Sequence, residues 1–87
     1  MVAKAMNFKV YVLYSDSLKR YYAGYTKDLE ERIQRHNSGR SKYTSRGIPW
    51  KLVKVFDCKS RSEAILLEKK IKARGIQRYL EENNSGI

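Results

Sequence analysis

The chain has 87 residues, with 19 Lys and Arg against nine Asp and Glu, a net charge of +10 and a pI near 9.9. That length supplies one domain with one modest core and excludes a catalytic domain joined to a separate recognition domain. The charge excess favours a polyanionic partner, nucleic acid first and anionic lipid second, while the lack of a long apolar run or an export-type leader argues against a membrane span and makes the cytoplasm the expected compartment. The single cysteine, Cys58, cannot close an internal disulfide and has no metal-ligand spacing around it.

Residues 1–7 read as a frayed lead-in. Phe8 to Tyr14 is β-branched and aromatic, Ser15-Asp16-Ser17 supplies turn chemistry, and Arg20 to Tyr25 resumes the aromatic pattern, so the stretch reads as a β-hairpin. Five of the seven tyrosines fall between Val10 and His36. A turn centred between Asp16 and Ser17 sets Tyr11 directly opposite Tyr22 on one face. Phe8, Val10, Val12 and Tyr14 then share the other face with Tyr21, Ala23 and Tyr25. One face is ordinary core and the other carries two facing phenols, a pairing that a one-residue slip would undo.

Asp28 and Glu31 resemble a capping box for a helix of about Asp28 to Asn37, which Ser38-Gly39 stops. Leu29 and Ile33 form its inward stripe, and Arg32 and His36 sit one turn apart on a neighbouring face. The loop from Gly39 to Trp50 carries Arg40, Lys42, Tyr43 and Arg46, and its Gly47 and Pro49 oppose a long regular element. Basic residues interleaved with an aromatic suit backbone tracking and base stacking on nucleic acid. A solvated loop is the equal alternative. Lys51 to Cys58 reads as a third strand with Leu52 and Phe56 on one face and Val53 and Val55 on the other, hence as a strand covered on both sides. Ser60 and Glu63 form a second capping box, opening a helix to about Arg74 with the stripe Ala64, Leu67 and Ile71, and Gly75 ends it. Glu68 falls inside that stripe, where a carboxylate needs a cation, a metal or water. A short helix from about Ile76 to Glu82 packs through Ile76, Tyr79 and Leu80, and residues 83–87 read as a mobile tail.

The chain has no Ser-His-Asp set, Cys-His pair, P-loop or zinc-finger spacing. What it holds is two facing tyrosines, Arg32, His36 and one embedded carboxylate. Phosphodiester hydrolysis needs groups of these kinds: a base for water, a cation for the phosphate and a metal for the leaving oxygen. Glu68 suits Mg²⁺, which one or two carboxylates often hold with water completing the shell. Arg32 suits bidentate contact with a phosphate. A phenol is a poor base at its reference pKa of about 10 and needs neighbouring cations or a metal-bound water to improve it. Each group also has a plain structural role: cross-strand packing for the tyrosines, surface charge for Arg32, a helix C-terminal partner for His36, and an ion pair with Lys72 or Arg32 for Glu68. Spacing alone favours a basic nucleic-acid-binding domain over a nuclease.

In this order, these residues resemble the GIY-YIG nuclease superfamily. Lys9-Val10-Tyr11 stands where its first signature does and Tyr22-Ala23-Gly24 where the second does. Tyr25-Thr26 follows, then Leu29, Arg32 and His36 at helical spacing, and Glu68 in the later helix. The match covers about Phe8 to Arg74 and is similar to the small stand-alone bacterial members, in which PWKLV, here Pro49 to Val53, recurs. The short signatures are weak singly, and the ordered set is specific. The resemblance implies an α/β fold, a small three-stranded antiparallel sheet flanked by helices, over residues 8–82. It also implies cleavage of DNA with Mg²⁺ or Mn²⁺, and a place in DNA repair or recombination. Carried over, Tyr11 and Tyr22 activate water, Arg32 stabilises the phosphate, His36 assists near the phosphate or base, and Glu68 binds the metal. The alternative is a non-catalytic DNA- or RNA-binding module that keeps the fold, and a protein partner stays open under both. Lys9 departs from the first glycine of the signature, which bears on backbone approach there, and Ala23 replaces a bulkier apolar residue.

Overall fold

The hairpin forms from Phe8–Ser15 (β1) and Arg20–Thr26 (β2), with a longer turn than expected. In this computed structural model, which describes residues 7–40 and 42–84, Ser15 pairs with Arg20 and leaves Asp16 to Lys19 as the loop. Lys19 takes the left-handed conformation, φ 56°, and the buried Ser15 Oγ accepts a hydrogen bond from the Leu18 N–H at 3.1 Å. The longer loop moves the register by two, so that Tyr11 faces Gly24 and Tyr22 faces Leu13. Direct opposition of the two tyrosines is thereby corrected. Because the shift is even, both phenols keep the same face, now as diagonal neighbours with ring centroids 6.4 Å apart. The expected lead-in lies outside the described residues apart from Asn7, as do residues 85–87 of the expected tail.

Trp50–Cys58 (β3) pairs with the other side of β1, giving an antiparallel sheet of order β2-β1-β3. Its expected coverage on both sides does not hold, since Leu52 and Val53 are 44% and 45% exposed. Val12 pairs with Lys54 and Leu13 with Leu52, so Val53 is an extra residue, a bulge that breaks the alternation on an edge strand. Lys9, at the departed glycine position, aims its ammonium across the sheet at Asp57, 2.5 Å away.

Three helices cover the sheet. Leu29–Asn37 (α1) starts on Asp28, whose carboxylate accepts from the Glu31 N–H at 3.1 Å. Glu31 turns to Arg35 rather than completing the box, and the Asp28 N–H goes to Thr26 Oγ1 instead. Arg61–Arg74 (α2) starts on Ser60, and Glu63 reaches back to the Lys59 N–H at 2.8 Å. Gly75 at φ 97° ends it, a conformation other residues adopt at a cost. Ile76–Asn84 (α3) runs two residues past its expected end, with the Asn83 side chain donating to the Tyr79 carbonyl.

Strand alternation divides the core into two. Val10, Val12 and Ala23 pack under α2 and α3 with Ala64, Ile71 and Leu80. Tyr11 and Leu13 pack on the opposite face with Trp50, against Tyr22 and the α1 residues Leu29 and Ile33. Val10 through Leu13 are wholly buried, as the middle strand of a sheet covered on both faces must be. Among the described residues no helix is long and apolar enough to cross a membrane.

Candidate active site

Tyr11 owes its seat to the residue it faces. A Cβ on Gly24 would lie 2.6 Å from Tyr11 Oη and 2.9 Å from Cζ, so only glycine lets the phenol lie across β2. Gly24→Ala is expected to cost about 1–3 kcal/mol, the range for overpacking a closed site, and to push the phenol aside. Chemical denaturation checks this; unchanged stability would mean that the strands part without strain.

Behind Tyr11 lies His36. Its Nε2 is 3.0 Å from Tyr11 Oη and its Nδ1 is 3.0 Å from Thr44 Oγ1, so both ring nitrogens are engaged. His36 is buried and, unlike Tyr11, does not line the cleft in front of the phenol, so it stands behind Tyr11. Burial, with help from Arg32 and Arg35, lowers its pKa and favours the neutral ring. The Tyr11 pKa is pushed up to about 12, first by burial and then by Tyr22, against the pull of the Arg32 guanidinium. At neutral pH Tyr11 is therefore a phenol beside a neutral imidazole. Thr44 is held in turn by Trp50, whose indole N–H donates to the Thr44 carbonyl at 2.7 Å.

In front of Tyr11 a cleft of about 670 Å³ runs along the open edge of β2, between α1 and α2. It is lined by Tyr11, Tyr22 and Gly24 from the hairpin, Arg32 from α1, and Arg61 and Glu68 from α2, with Lys27, Asp28 and Glu31 at the strand-to-helix turn. Arg32 Nε is buried with no hydrogen-bond partner among the described residues. An N–H left so is costly, and an anion in the cleft would satisfy it. The Glu68 side chain is 18% exposed and lies 3.1 Å from the Lys72 ammonium, the intrahelical pair that was one structural reading of this residue.

A divalent cation fits this donor set in one mode. Among the described residues no three His, Cys, Asp or Glu side chains converge as a metal cluster. Glu68 presents one carboxylate to a cleft whose other occupants would be water and phosphate, which is how Mg²⁺ is commonly held.

The residues of the basic loop lie against different cavities. Tyr43 and Arg46 line a second cavity beyond Tyr22, Arg40 sits in a depression with Glu31, Gln34 and Arg35, and Lys42 is exposed and lines neither. Sequence reasoning missed Thr44, Arg61 and the reason for Gly24. The Tyr-x-Gly spacing carried the last of these. Arg61 was visible only as a capping-box filler, and Thr44 gave no periodic signal.

An antiparallel sheet between α1 and a second helical layer, with a tyrosine pair, an arginine and a glutamate on one cleft, makes a small α/β domain. Residues 7–79 match the family model described as the GIY-YIG catalytic domain, and the chain belongs to that family. Within it the chain is similar to UPF0213 protein lin0209 of Listeria innocua serovar 6a, 39% identical over 85 residues that cover 93% of each chain. It is 43% identical over 51 residues to UPF0213 protein YsiG of Lactococcus lactis, an overlap of 58% of this chain and 49% of that protein. The solution NMR structure of UPF0213 protein BH0048 from Bacillus halodurans superposes with a TM-score of 0.56 at 36% identity, covering 92% of this chain and 84% of that one.

Proposed function

We propose that this chain is a divalent-metal-dependent endonuclease that hydrolyses phosphodiester bonds in DNA in the cytoplasm, with residues 8–82 as its nuclease domain. The observation that carries the reading is the buried, unpartnered Nε of Arg32, set in one cleft with Tyr11, Tyr22 and Glu68. A phosphate oxygen is the partner that a desolvated guanidinium takes best.

In the tautomer with Nδ1–H donated to Thr44, the Tyr11 hydroxyl donates to His36 Nε2 and turns a lone pair to the cleft. The attacking water gives its proton to Tyr11 Oη while the Tyr11 proton passes to His36. No free phenolate forms, which accommodates a phenol pKa of about 12. The water oxygen bonds to phosphorus, and the ester bond opposite breaks. Its electron pair leaves with the alcohol oxygen, which takes a proton from solvent. Tyr22 orients the water, and Arg32 takes up charge on the non-bridging oxygens. Glu68 is the residue that would hold Mg²⁺ or Mn²⁺, and the bound ion supplies charge neutralisation at the leaving oxygen.

The test is incubation with linear, nicked and branched DNA, with Mg²⁺ or Mn²⁺ and with EDTA. Cleavage in metal alone is expected, and intact DNA of every form would overturn the proposal. Binding without cleavage is expected to weaken steeply with salt. Arg46→Glu should flatten the log–log slope by about one unit, the loss of one phosphate contact. A salt-insensitive complex would count against electrostatic binding. The Glu68–Lys72 ion pair favours a second reading, a fold-retaining binder whose carboxylate is purely structural.

A further inference from the structure

We propose that the cavity between the hairpin turn and the loop before β3 is a receiving pocket for one unstacked nucleobase of the DNA substrate. This rests on the nuclease reading above and names the form of DNA that the cleft takes. The cavity holds about 430 Å³, within the size range of small-molecule sites, and its walls include Leu18, Arg20, Tyr22, Tyr43, Arg46 and Trp50. Tyr22 lines this cavity and the candidate active cleft alike, so a base seated here belongs to a nucleotide beside the phosphate at Arg32.

The pocket is aromatic where a base would lie and cationic at its rim. Tyr43 is 83% exposed, an unusual position for a large aromatic residue with no core to fill. Its centroid is 6.1 Å from that of Tyr22, and Trp50 lies 6.1 Å from Tyr22 in an edge-on arrangement. Arg20 and Arg46 are exposed, and neither forms an ion pair among the described residues. Open aromatic faces beside unpaired guanidinium groups stack bases and hold the flanking phosphates.

The loop is also fastened as a platform requires. Gly47 leaves room for the indole, since a Cβ there would run into Trp50 Cζ2. The indole N–H holds the Thr44 carbonyl at 2.7 Å, and Ser17 Oγ donates to the Arg46 carbonyl at 3.4 Å. Tyr43 is thus presented outward from a loop tied to Trp50 and to the hairpin turn. A paired base keeps both faces against its neighbours in the stack and cannot enter. An unpaired or extruded base can, and the unstacking cost is least where the strand is already single.

Trp50 is the chain's single tryptophan and a wall of the cavity, so its fluorescence reports occupancy directly. The experiment is run in EDTA, so that binding is read without cleavage, with a short single-stranded oligonucleotide and a blunt duplex of the same sequence. Anisotropy of end-labelled DNA gives the affinity for each. The single strand is expected to change Trp50 emission on binding, and the duplex to bind without that change. Tyr43→Ala should weaken the single strand by about ten- to a hundred-fold, the value of one base stacked on an aromatic ring, and leave the duplex unchanged. Tyr43→Phe should retain single-strand affinity, because stacking uses the ring and not the hydroxyl. Equal Trp50 responses to both DNAs, equal weakening of both by Tyr43→Ala, or no weakening of either, overturns the pocket alone. Failure of the wild-type protein to bind either DNA overturns the pocket and the nuclease reading together, and DNA binding without cleavage in metal overturns the nuclease reading alone.

Discussion

Tyr11→Phe is expected to lower the single-turnover cleavage rate by about 10²- to 10⁴-fold, the span of a lost general acid–base group. The ring still fills its place opposite Gly24, so stability should change by only about 1 kcal/mol, the net value of the hydrogen bond to His36. DNA affinity should be nearly unchanged. Tyr22→Phe is expected to have the smaller effect, because it is Tyr11 that hydrogen-bonds the imidazole. The pH dependence has a definite sign. His36 must be neutral to accept the proton, and its folded pKa lies below 6.5. The rate should therefore hold as pH falls through 6.5 and drop only in more acid solution. Stability behaves differently: the unfolded chain protonates His36 at its ordinary pKa while the folded chain resists. Stability is lost as pH falls from 6.5 towards the folded value. Wild-type rates in both Phe variants would end the tyrosine mechanism even for a proven nuclease.

Glu68→Gln is expected to remove metal-dependent cleavage, a loss of about 10³-fold, equivalent to roughly 4 kcal/mol of transition-state stabilisation. The substitution keeps shape and removes charge. It also breaks the ion pair with Lys72, whose side chain is 53% exposed, and pairs of that kind contribute only about 0.3–0.5 kcal/mol. The fold should therefore survive. Lys72→Gln separates the two roles of the carboxylate. If Glu68 exists to pair with Lys72, the two variants should behave alike. If it holds a cation, Lys72→Gln should cut normally and need no more metal than the wild type, because its carboxylate is freed rather than lost. Full activity in Glu68→Gln would remove this residue from the metal proposal.

Legibility in the sequence followed the range of the interaction. The helices were readable because their signals are local: Asp28 and Ser60 each accept the N–H three residues on, and Gly75 stops α2. The two faces of β1 were readable because alternation survives an even register shift, and the wrong turn length moved Tyr11 from Tyr22 to Gly24 without changing its side. Val53 was misread because a bulge on an edge strand leaves no trace in an apolar alternating pattern. The gathering of Tyr11, Tyr22, Arg32 and Glu68 at one cleft followed from the ordered set, whereas the partners of His36 did not. Thr44 lies in an aperiodic loop, and nothing local links it to an imidazole in α1 and an indole in β3.

The wholly buried run from Val10 to Leu13 has a consequence for how the cleft moves. A strand hydrogen-bonded on both edges and covered on both faces exchanges its amide protons through global unfolding, whereas an exposed side chain on a fastened loop changes rotamer without any unfolding. The two walls around Tyr22 thus belong to different regimes of motion. Tyr11 keeps its position for as long as the domain stays folded, while the exposed Tyr43 side chain changes rotamer on the timescale of a surface residue. In the proposed reaction the adjustable wall meets the incoming strand and the fixed wall places the attacking water.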